Sequence, residues 1–200
     1  MLEEIKSNPL YLKKEFITEE EQNFFKEWVL SMSDDPKYQK FKDHGLDRYP
    51  DLQFGNFWDF GNSVELFMWR RGFGVPLIKE EHKIPEIEAL KDRIHEHVQL
   101  PKNFSRCGLV CSKKKSNEPT YSIKSHIDKG SKKSMIINCN IMLHCDDYEI
   151  MNVDGTDYKV EPRDLYVIQA SEYEHRCNRK LKERMTFLFM NAVPYSVFET

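Results

Sequence analysis

Short runs of β-forming residues fill the second half of the chain, and this pattern limits the fold more than any other feature. The runs are FSRCGLVCS, PTYSIKSHI, MIINCNIML, DYEIMNV, DYKV, DLYVIQA and RMTFLFMNAV. Turn-forming residues separate them, namely Asn117-Glu118-Pro119, Asp146-Asp147 and Asp154-Gly155. Several short strands at such spacing predict an antiparallel sandwich or barrel.

The first half carries helical signals instead. After a short predicted strand in NPLYLKKEFI, Thr18 and Glu21 match a capping box that begins a helix. Pro85 begins a second helix, PEIEALKDRIHEHVQ, and Pro101 ends it. Its apolar positions share one face: Ile87, Leu90, Ile94 and Val98. We therefore predict helices packed outside a β core.

The length suits one domain, which we assign to residues 1–200. Residues 1–102 form a mainly helical and irregular support, and residues 103–193 form the β-barrel core. Within the support, residues 34–62 are predicted to be irregular. The segment SVELFMWRRGFGVPLI is predicted to hold a strand and a glycine-rich turn.

Composition and charge exclude several classes of protein. The net charge of −3 gives no overall attraction to nucleic acid or to an anionic membrane. No run of about 18 apolar residues predicts a membrane span, and MLEEIKSNPLYL is too polar and acidic for a signal peptide. The five cysteines are scattered without a CxxC pair, so we expect buried reduced thiols. These features predict a cytoplasmic protein.

A candidate metal site lies in YSIKSHIDKG, where His126 and Asp128 stand one residue apart after an alternating run. In a strand, residues i and i+2 point to the same side, so these two side chains can present ligand atoms to one point. His175 follows the run DLYVIQA, 47 residues after Asp128. A His-x-Asp pair with a distant histidine is the ligand set of the facial triad that holds Fe(II) and leaves coordination positions open. We predict His126, Asp128 and His175 as metal ligands and catalytic residues.

Arg184, nine residues after His175, makes the pattern more specific. Together, His126-Ile127-Asp128, His175 and Arg184 resemble the motifs of the iron(II)- and 2-oxoglutarate-dependent dioxygenases, in particular the prolyl-hydroxylase-like branch. The resemblance covers roughly residues 103–193. It implies an α+β protein with a double-stranded β-helix core, also called a jelly roll or cupin-like barrel, that N-terminal helices support.

The resemblance also implies a role for each of these residues. Fe(II) would be held by the triad, and Arg184 would pair with the far carboxylate of 2-oxoglutarate through its planar fork. Thr186 shares the facing of Arg184 and would add a hydrogen bond, and Asn140 is a candidate for a further polar contact. O₂ would be the other co-substrate.

Two positions depart from the family pattern. Asp164, in the turn Glu161-Pro162-Arg163-Asp164, stands where a glycine is common. A tyrosine that contacts the co-substrate is not plainly placed either, because Tyr121 would face away from His126 in a regular strand.

The implied activity is hydroxylation of an unactivated C–H bond, with a peptidyl or free amino-acid side chain as the leading substrate class. One alternative is an AlkB-like nucleic-acid demethylase, which Arg70-Arg71 and Lys113-Lys114-Lys115 favour and the acidic net charge opposes. Another is a cupin-type binding module without turnover. The segment from Lys113 to Asn117 is either a solvated loop or a lid, and the sequence does not indicate an oligomeric state.

Simpler interpretations apply to several of these residues. Arg184 could belong to a solvated basic run, but Thr186, Leu188 and Met190 continue its facing and predict that it points into the barrel. His144 is a weaker ligand candidate. The remaining histidines near the second helix are predicted to lie on its surface: His82, His95 and His97.

Overall fold

The computed structural model describes residues 2–32, 52–54, 79–100, 105–111, 115–121, 123–128 and 134–198. The α-helices in these ranges are α1 Leu2–Ser7, α2 Glu19–Ser31 and α3 Pro85–Val98. The strands are β1 Leu10–Lys13, β2 Leu52–Phe54, β3 Ser105–Cys111, β4 Lys115–Tyr121, β5 Ser134–Cys145, β6 Glu149–Val153, β7 Thr156–Val160, β8 Leu165–Gln169, β9 His175–Cys177 and β10 Lys180–Pro194. Among these helices, none combines the length and the apolar character that a membrane crossing requires.

The strands form two antiparallel sheets. The larger sheet has the order β1-β8-β5-β10-β3-β2, and β4 pairs with the first residues of β10. The smaller sheet has the order β7-β6-β9. This mixed architecture of two antiparallel sheets and a few helices agrees with a double-stranded β-helix, so the predicted fold class is confirmed.

The larger sheet is covered on both faces, because successive side chains point to opposite sides of a strand. Its outer face packs against the helices, and its inner face packs against the smaller sheet. On β5, Ile137, Cys139 and Ile141 belong to the outer cluster, whereas Ile136 and Met142 belong to the inner one. Polar residues on the inner face therefore lie between the two sheets.

The two long helices form as the sequence predicts. In α2, the backbone N–H of Glu21 donates to Thr18 Oγ1 at 3.1 Å, and Glu21 Oε2 accepts from the backbone N–H of Thr18 at 2.9 Å. This is the capping box. Phe25 of α2 packs edge-on against Phe187 of β10, with ring centroids 5.3 Å apart. The predicted apolar face of α3 is buried.

One histidine of α3 is placed differently from the prediction. His95 is 1% exposed, and its Nε2 lies 3.1 Å from Asn191 Oδ1 on β10. The surface assignment was wrong because a polar partner on the sheet lets the imidazole be buried. His97 is half-buried, and the distance from its Nε2 to the hydroxyl oxygen of Tyr11 is 2.9 Å.

An irregularity in the pairing of β5 with β10 lies beside Arg184. Thr186 pairs with Met142 while Met185 pairs with His144, so β5 has one extra residue here. Such a β-bulge turns the following side chains to other faces. Cys145 consequently joins Met142 in the inner cluster, and His144 Nε2 lies 3.1 Å from Glu183 Oε2.

The departure at Asp164 has a structural explanation. Arg163, and not Asp164, adopts the left-handed backbone conformation of this turn, with φ 77°. The buried Asp164 carboxylate accepts from the backbone N–H of Glu161 at 2.8 Å and of Glu15 at 3.1 Å, and from Lys14 Nζ at 2.8 Å. Asp164 thus ties the segment after β1 to the β7–β8 turn.

Other predictions have mixed outcomes. Asn117-Glu118-Pro119 lies inside β4 and not in a turn, and Leu52–Phe54 is strand β2 and not irregular. Helix α1 was not predicted.

Cys139, Cys145 and Cys177 are buried, as expected, and burial raises the pKa of Cys139 and of Cys145 to about 12. The predictions for the rest of 34–62, for SVELFMWRRGFGVPLI, for Lys113-Lys114 and for the side chain of Tyr121 lie outside the described residues.

Candidate metal centre

The three predicted metal ligands converge on one point. The ligand atoms of His126, Asp128 and His175 all lie within 4.8 Å of one another. His126 Nε2 is 3.5 Å from Asp128 Oδ1, and the two imidazole centroids are 4.2 Å apart. His175 is 4% exposed, whereas the side chain of His126 is 43% exposed. The group is therefore buried on one side and open to solvent on the other.

Backbone pairing in an isolated bridge brings these residues together. The prediction that His126 and Asp128 stand at the end of a regular strand is wrong. β4 ends at Tyr121, and His126 lies beyond it in an isolated antiparallel bridge with His175. The N–H of His175 donates to the carbonyl of His126 at 2.9 Å, and the reverse bond is 3.2 Å. The N–H of Asp128 donates to the carbonyl of Ala170 at 2.8 Å. The residue pattern selected three residues that the fold brings together, although the assumed local geometry was wrong.

Both imidazoles are oriented for a metal. His126 Nδ1 lies 2.8 Å from the carbonyl of Lys124, and His175 Nδ1 lies 3.1 Å from the carbonyl of Tyr173. A carbonyl only accepts, so each Nδ1 carries a hydrogen, and in the neutral ring Nε2 then keeps the lone pair that a metal needs. Burial lowers the pKa of His175, with a further contribution from His126, against the opposing effects of Tyr173 and Asp128. Neutral imidazole, which binds metals, is thereby favoured.

One carboxylate oxygen of Asp128 faces His126, and the other accepts a hydrogen bond from a neighbouring strand. Its Oδ2 accepts a hydrogen bond of 2.8 Å from Asn138 Nδ2 on β5, while Oδ1 faces His126 Nε2. Two imidazoles and a carboxylate held in this way fit the two-His-one-carboxylate set.

We expect replacement of Asn138 by leucine to weaken metal binding by about 10- to 100-fold, because the amide that orients Asp128 is lost. Titration calorimetry with Mn(II) measures the change. Asn191→Leu is the matched control, because this buried asparagine lies in the larger sheet beside His95 and away from the triad. Equal Mn(II) affinity in Asn138→Leu and wild type would contradict an orienting role.

A second polar group lies between the sheets around Arg184. This side chain is 2% exposed, which excludes the solvated basic run and agrees with a guanidinium inside the barrel. One of its terminal nitrogens donates to the hydroxyl of Tyr166 at 2.8 Å, and Nε lies 3.6 Å from Glu149 Oε2. Thr186 is also buried, and its hydroxyl lies 3.8 Å from the sulfur of Met142.

Strand register relates Thr186, two residues after Arg184, to the candidate metal ligands. Asn138, which holds Asp128, and Met142, which pairs with Thr186, are four residues apart on β5, or about 13 Å. Asn140 lies between them, opposite Tyr166 of β8. Asn140 Nδ2 lies 3.2 Å from the carbonyl of Asn138 and 3.4 Å from that of Tyr166. Its contact with a co-substrate stays a prediction.

Sequence reasoning assigned no role to three residues of this site: Asn138, Glu149 and Tyr166. Asn138 shares the facing of Asn140 on β5, which was a usable signal. Glu149 alternates with the buried Met151 and Val153 along β6, so these three residues share one face. The sequence therefore showed an acidic residue on a buried face. Nothing in the run DLYVIQA distinguishes Tyr166 as a partner of a distant arginine.

The remaining ligand candidate does not join the triad. His144 lies with Nε2 3.1 Å from Glu183, and in the described part of the chain only His126, Asp128 and His175 form a group that could hold a metal.

Comparison with known proteins bears on the fold. No family model matches the sequence, and no curated protein matches it. Solved structures do match. An oxidoreductase of the 2OG-Fe(II) oxygenase family from Burkholderia pseudomallei superposes with a TM-score of 0.60 at 10% identity, over 96% of this chain and 87% of that one.

The viral collagen prolyl hydroxylase of Paramecium bursaria Chlorella virus-1, solved as a 2OG complex, superposes with a TM-score of 0.56 at 10% identity. The match covers 94% of this chain and 99% of that one. This chain has the 2OG/Fe(II) oxygenase fold. NgTET1 in complex with 5mC DNA also matches, with a TM-score of 0.55 at 12% identity over 92% of this chain and 71% of that one. At these identities the likeness concerns the fold alone, and it confirms the resemblance at that level.

Proposed function

We propose that this protein is an Fe(II)- and 2-oxoglutarate-dependent oxygenase that hydroxylates an unactivated C–H bond of a peptidyl or free amino-acid side chain. The observation that carries the proposal is the convergence of His126, Asp128 and His175 within 4.8 Å of one another. The fold of 2OG/Fe(II) oxygenases around this group adds support. The triad carries the proposal because fold alone does not determine function.

The chain offers a defined role for each side chain. Nε2 of both histidines and Oδ1 of Asp128 would hold Fe(II), which together with 2-oxoglutarate and O₂ as the oxidant would supply oxidative decarboxylation coupled to substrate oxidation. Arg184 would bind the distal carboxylate of 2-oxoglutarate, with Thr186 beside it. The apolar inner faces of the two sheets would keep bulk water from the buried end of this site, which strengthens the charge pairing.

The overall charge of the chain supports an amino-acid or peptide substrate over nucleic acid. Its net charge of −3 supplies no positive excess to bind a phosphate backbone.

The proposal is tested by incubating purified protein with Fe(II), ascorbate and 2-oxoglutarate in air and measuring succinate. We expect succinate release that depends on 2-oxoglutarate and increases with the correct substrate, which mass spectrometry of peptide and amino-acid pools would identify by the gain of one oxygen atom. His175→Ala is the inactive control. Metal and 2-oxoglutarate binding without succinate release would indicate a cupin-type binding module, and oxidation of oligonucleotides would indicate the nucleic-acid alternative.

A further inference from the structure

The carboxylate of Glu149 occupies the surroundings of Arg184, where the proposed function places the co-substrate carboxylate. We propose that Glu149 is an internal competitor for Arg184 that weakens the binding of 2-oxoglutarate and reduces the selectivity of the pocket for a charged distal group. This inference rests on the proposed function.

The geometry places an opposite charge against the guanidinium inside the barrel. Glu149 is fully buried and Arg184 is 2% exposed, so bulk water screens neither charge well. The distance from Arg184 Nε to Glu149 Oε2 is 3.6 Å, which is longer than a hydrogen bond but within the range of an ion pair. The other carboxylate oxygen, Oε1, accepts from the backbone N–H of Ile150 at 2.9 Å. Glu149 is therefore held by β6 and is not clamped on the guanidinium.

The position of Glu149 in the fold gives it this role. It is the first residue of β6 in the smaller sheet, whereas Arg184 lies on β10 in the larger sheet. The pair thus crosses the space between the sheets, which is the space that a ligand of Arg184 must enter. Tyr166 hydrogen-bonds the guanidinium from β8, so its contact comes from a third strand.

The charge balance determines the expected sign of the effect. With Glu149 ionised, the Arg184–Glu149 pair carries no net charge, and a carboxylate that enters beside Arg184 meets the negative charge of Glu149. Two like charges a few ångströms apart repel strongly where the effective dielectric constant is low. The same carboxylate stabilises the protein without ligand, because a buried guanidinium lacking an anion is costly.

The experiment measures 2-oxoglutarate binding by titration calorimetry on protein loaded with Mn(II) under nitrogen. Glu149→Gln removes the charge with little change in shape. We expect its dissociation constant for 2-oxoglutarate to be at least about tenfold lower than that of wild type. Glu183→Gln is the matched control, because Glu183 adjoins Arg184 on β10 but its carboxylate lies beside His144. We expect its affinity to stay within about twofold of wild type.

A measurement on the wild-type protein gives an independent test if Glu149→Gln does not fold. In 2-oxoglutaramate, an amide replaces the distal carboxylate of 2-oxoglutarate. If Glu149 already neutralises Arg184, wild type should bind 2-oxoglutarate less than about tenfold more tightly than 2-oxoglutaramate. An arginine without a neighbouring carboxylate would favour 2-oxoglutarate by a far larger ratio of dissociation constants.

The outcomes separate this inference from the proposed function. Equal or weaker binding of 2-oxoglutarate by Glu149→Gln, with wild type binding it, overturns the inference and leaves the proposed function standing. Binding by Glu149→Gln but not by wild type supports the inference in its strongest form. Absence of binding by both proteins overturns the inference and the proposed function together.

Discussion

Replacing Asp128 by alanine is expected to lower the affinity for Fe(II) or Mn(II) by more than about 100-fold and to abolish 2-oxoglutarate-dependent succinate release. The substitution removes the only carboxylate of the triad, and two neutral imidazoles do not neutralise the charge of a divalent cation. Anaerobic titration calorimetry with Mn(II) measures the affinity, and succinate analysis measures the turnover.

Asp157→Ala is a suitable control for this prediction. Asp157 is exposed on β7, and its carboxylate accepts from Asn152 and Asn178, away from the ligand group. We expect Asp157→Ala to bind Mn(II) like wild type. If Asp128→Ala also bound Mn(II) and released succinate at the wild-type rate, the assignment of the triad would be wrong.

Replacing Arg184 by leucine is expected to have two separable effects. Binding of 2-oxoglutarate should fall below detection, because the distal carboxylate loses its cation. The free energy of unfolding should also fall by about 3–5 kcal/mol, because the buried carboxylate of Glu149 is left without its guanidinium. Urea denaturation measures the stability, and titration calorimetry measures the binding.

The double variant Arg184→Leu with Glu149→Gln distinguishes the two effects. It removes the stranded charge, so we expect it to recover most of the lost stability and none of the lost affinity. An Arg184→Leu protein as stable as wild type would show that the ion pair contributes nothing to folding. Unchanged 2-oxoglutarate binding in the same variant would contradict the proposed role of Arg184.

The sequence identified the two-sheet core because its signals are local. Alternating apolar residues, turn residues and the capping box at Thr18 depend on near neighbours, and the structure agrees with nearly all of them. One exception, at Asn117-Glu118-Pro119, shows the limit of such signals. These residues lie within β4 at a register shift, between the pairing of Thr120 with Leu181 and that of Lys115 with Glu183, so they interrupt the ladder without ending the strand.

The candidate metal site shows the same division between local and long-range information. The spacing of His126 and Asp128 and the order of His175 and Arg184 identified the residues. Their convergence depends on the bridge between residues 126 and 175 and on the bond from Asp128 to Ala170. The pairing of Arg184 with Glu149 joins strands from two sheets, and no spacing in one sequence specifies which strands will face each other.

The central claim is that His126, Asp128 and His175 together bind one Fe(II) to which 2-oxoglutarate also binds. Visible absorption spectroscopy under nitrogen tests it most directly, because chelation of Fe(II) by a 2-oxo acid gives a metal-to-ligand charge-transfer band. The account predicts that this band develops when Fe(II) and 2-oxoglutarate are added to the wild-type protein and is absent from His175→Ala. A wild-type spectrum without the band, or an equal band in His175→Ala, would contradict the account.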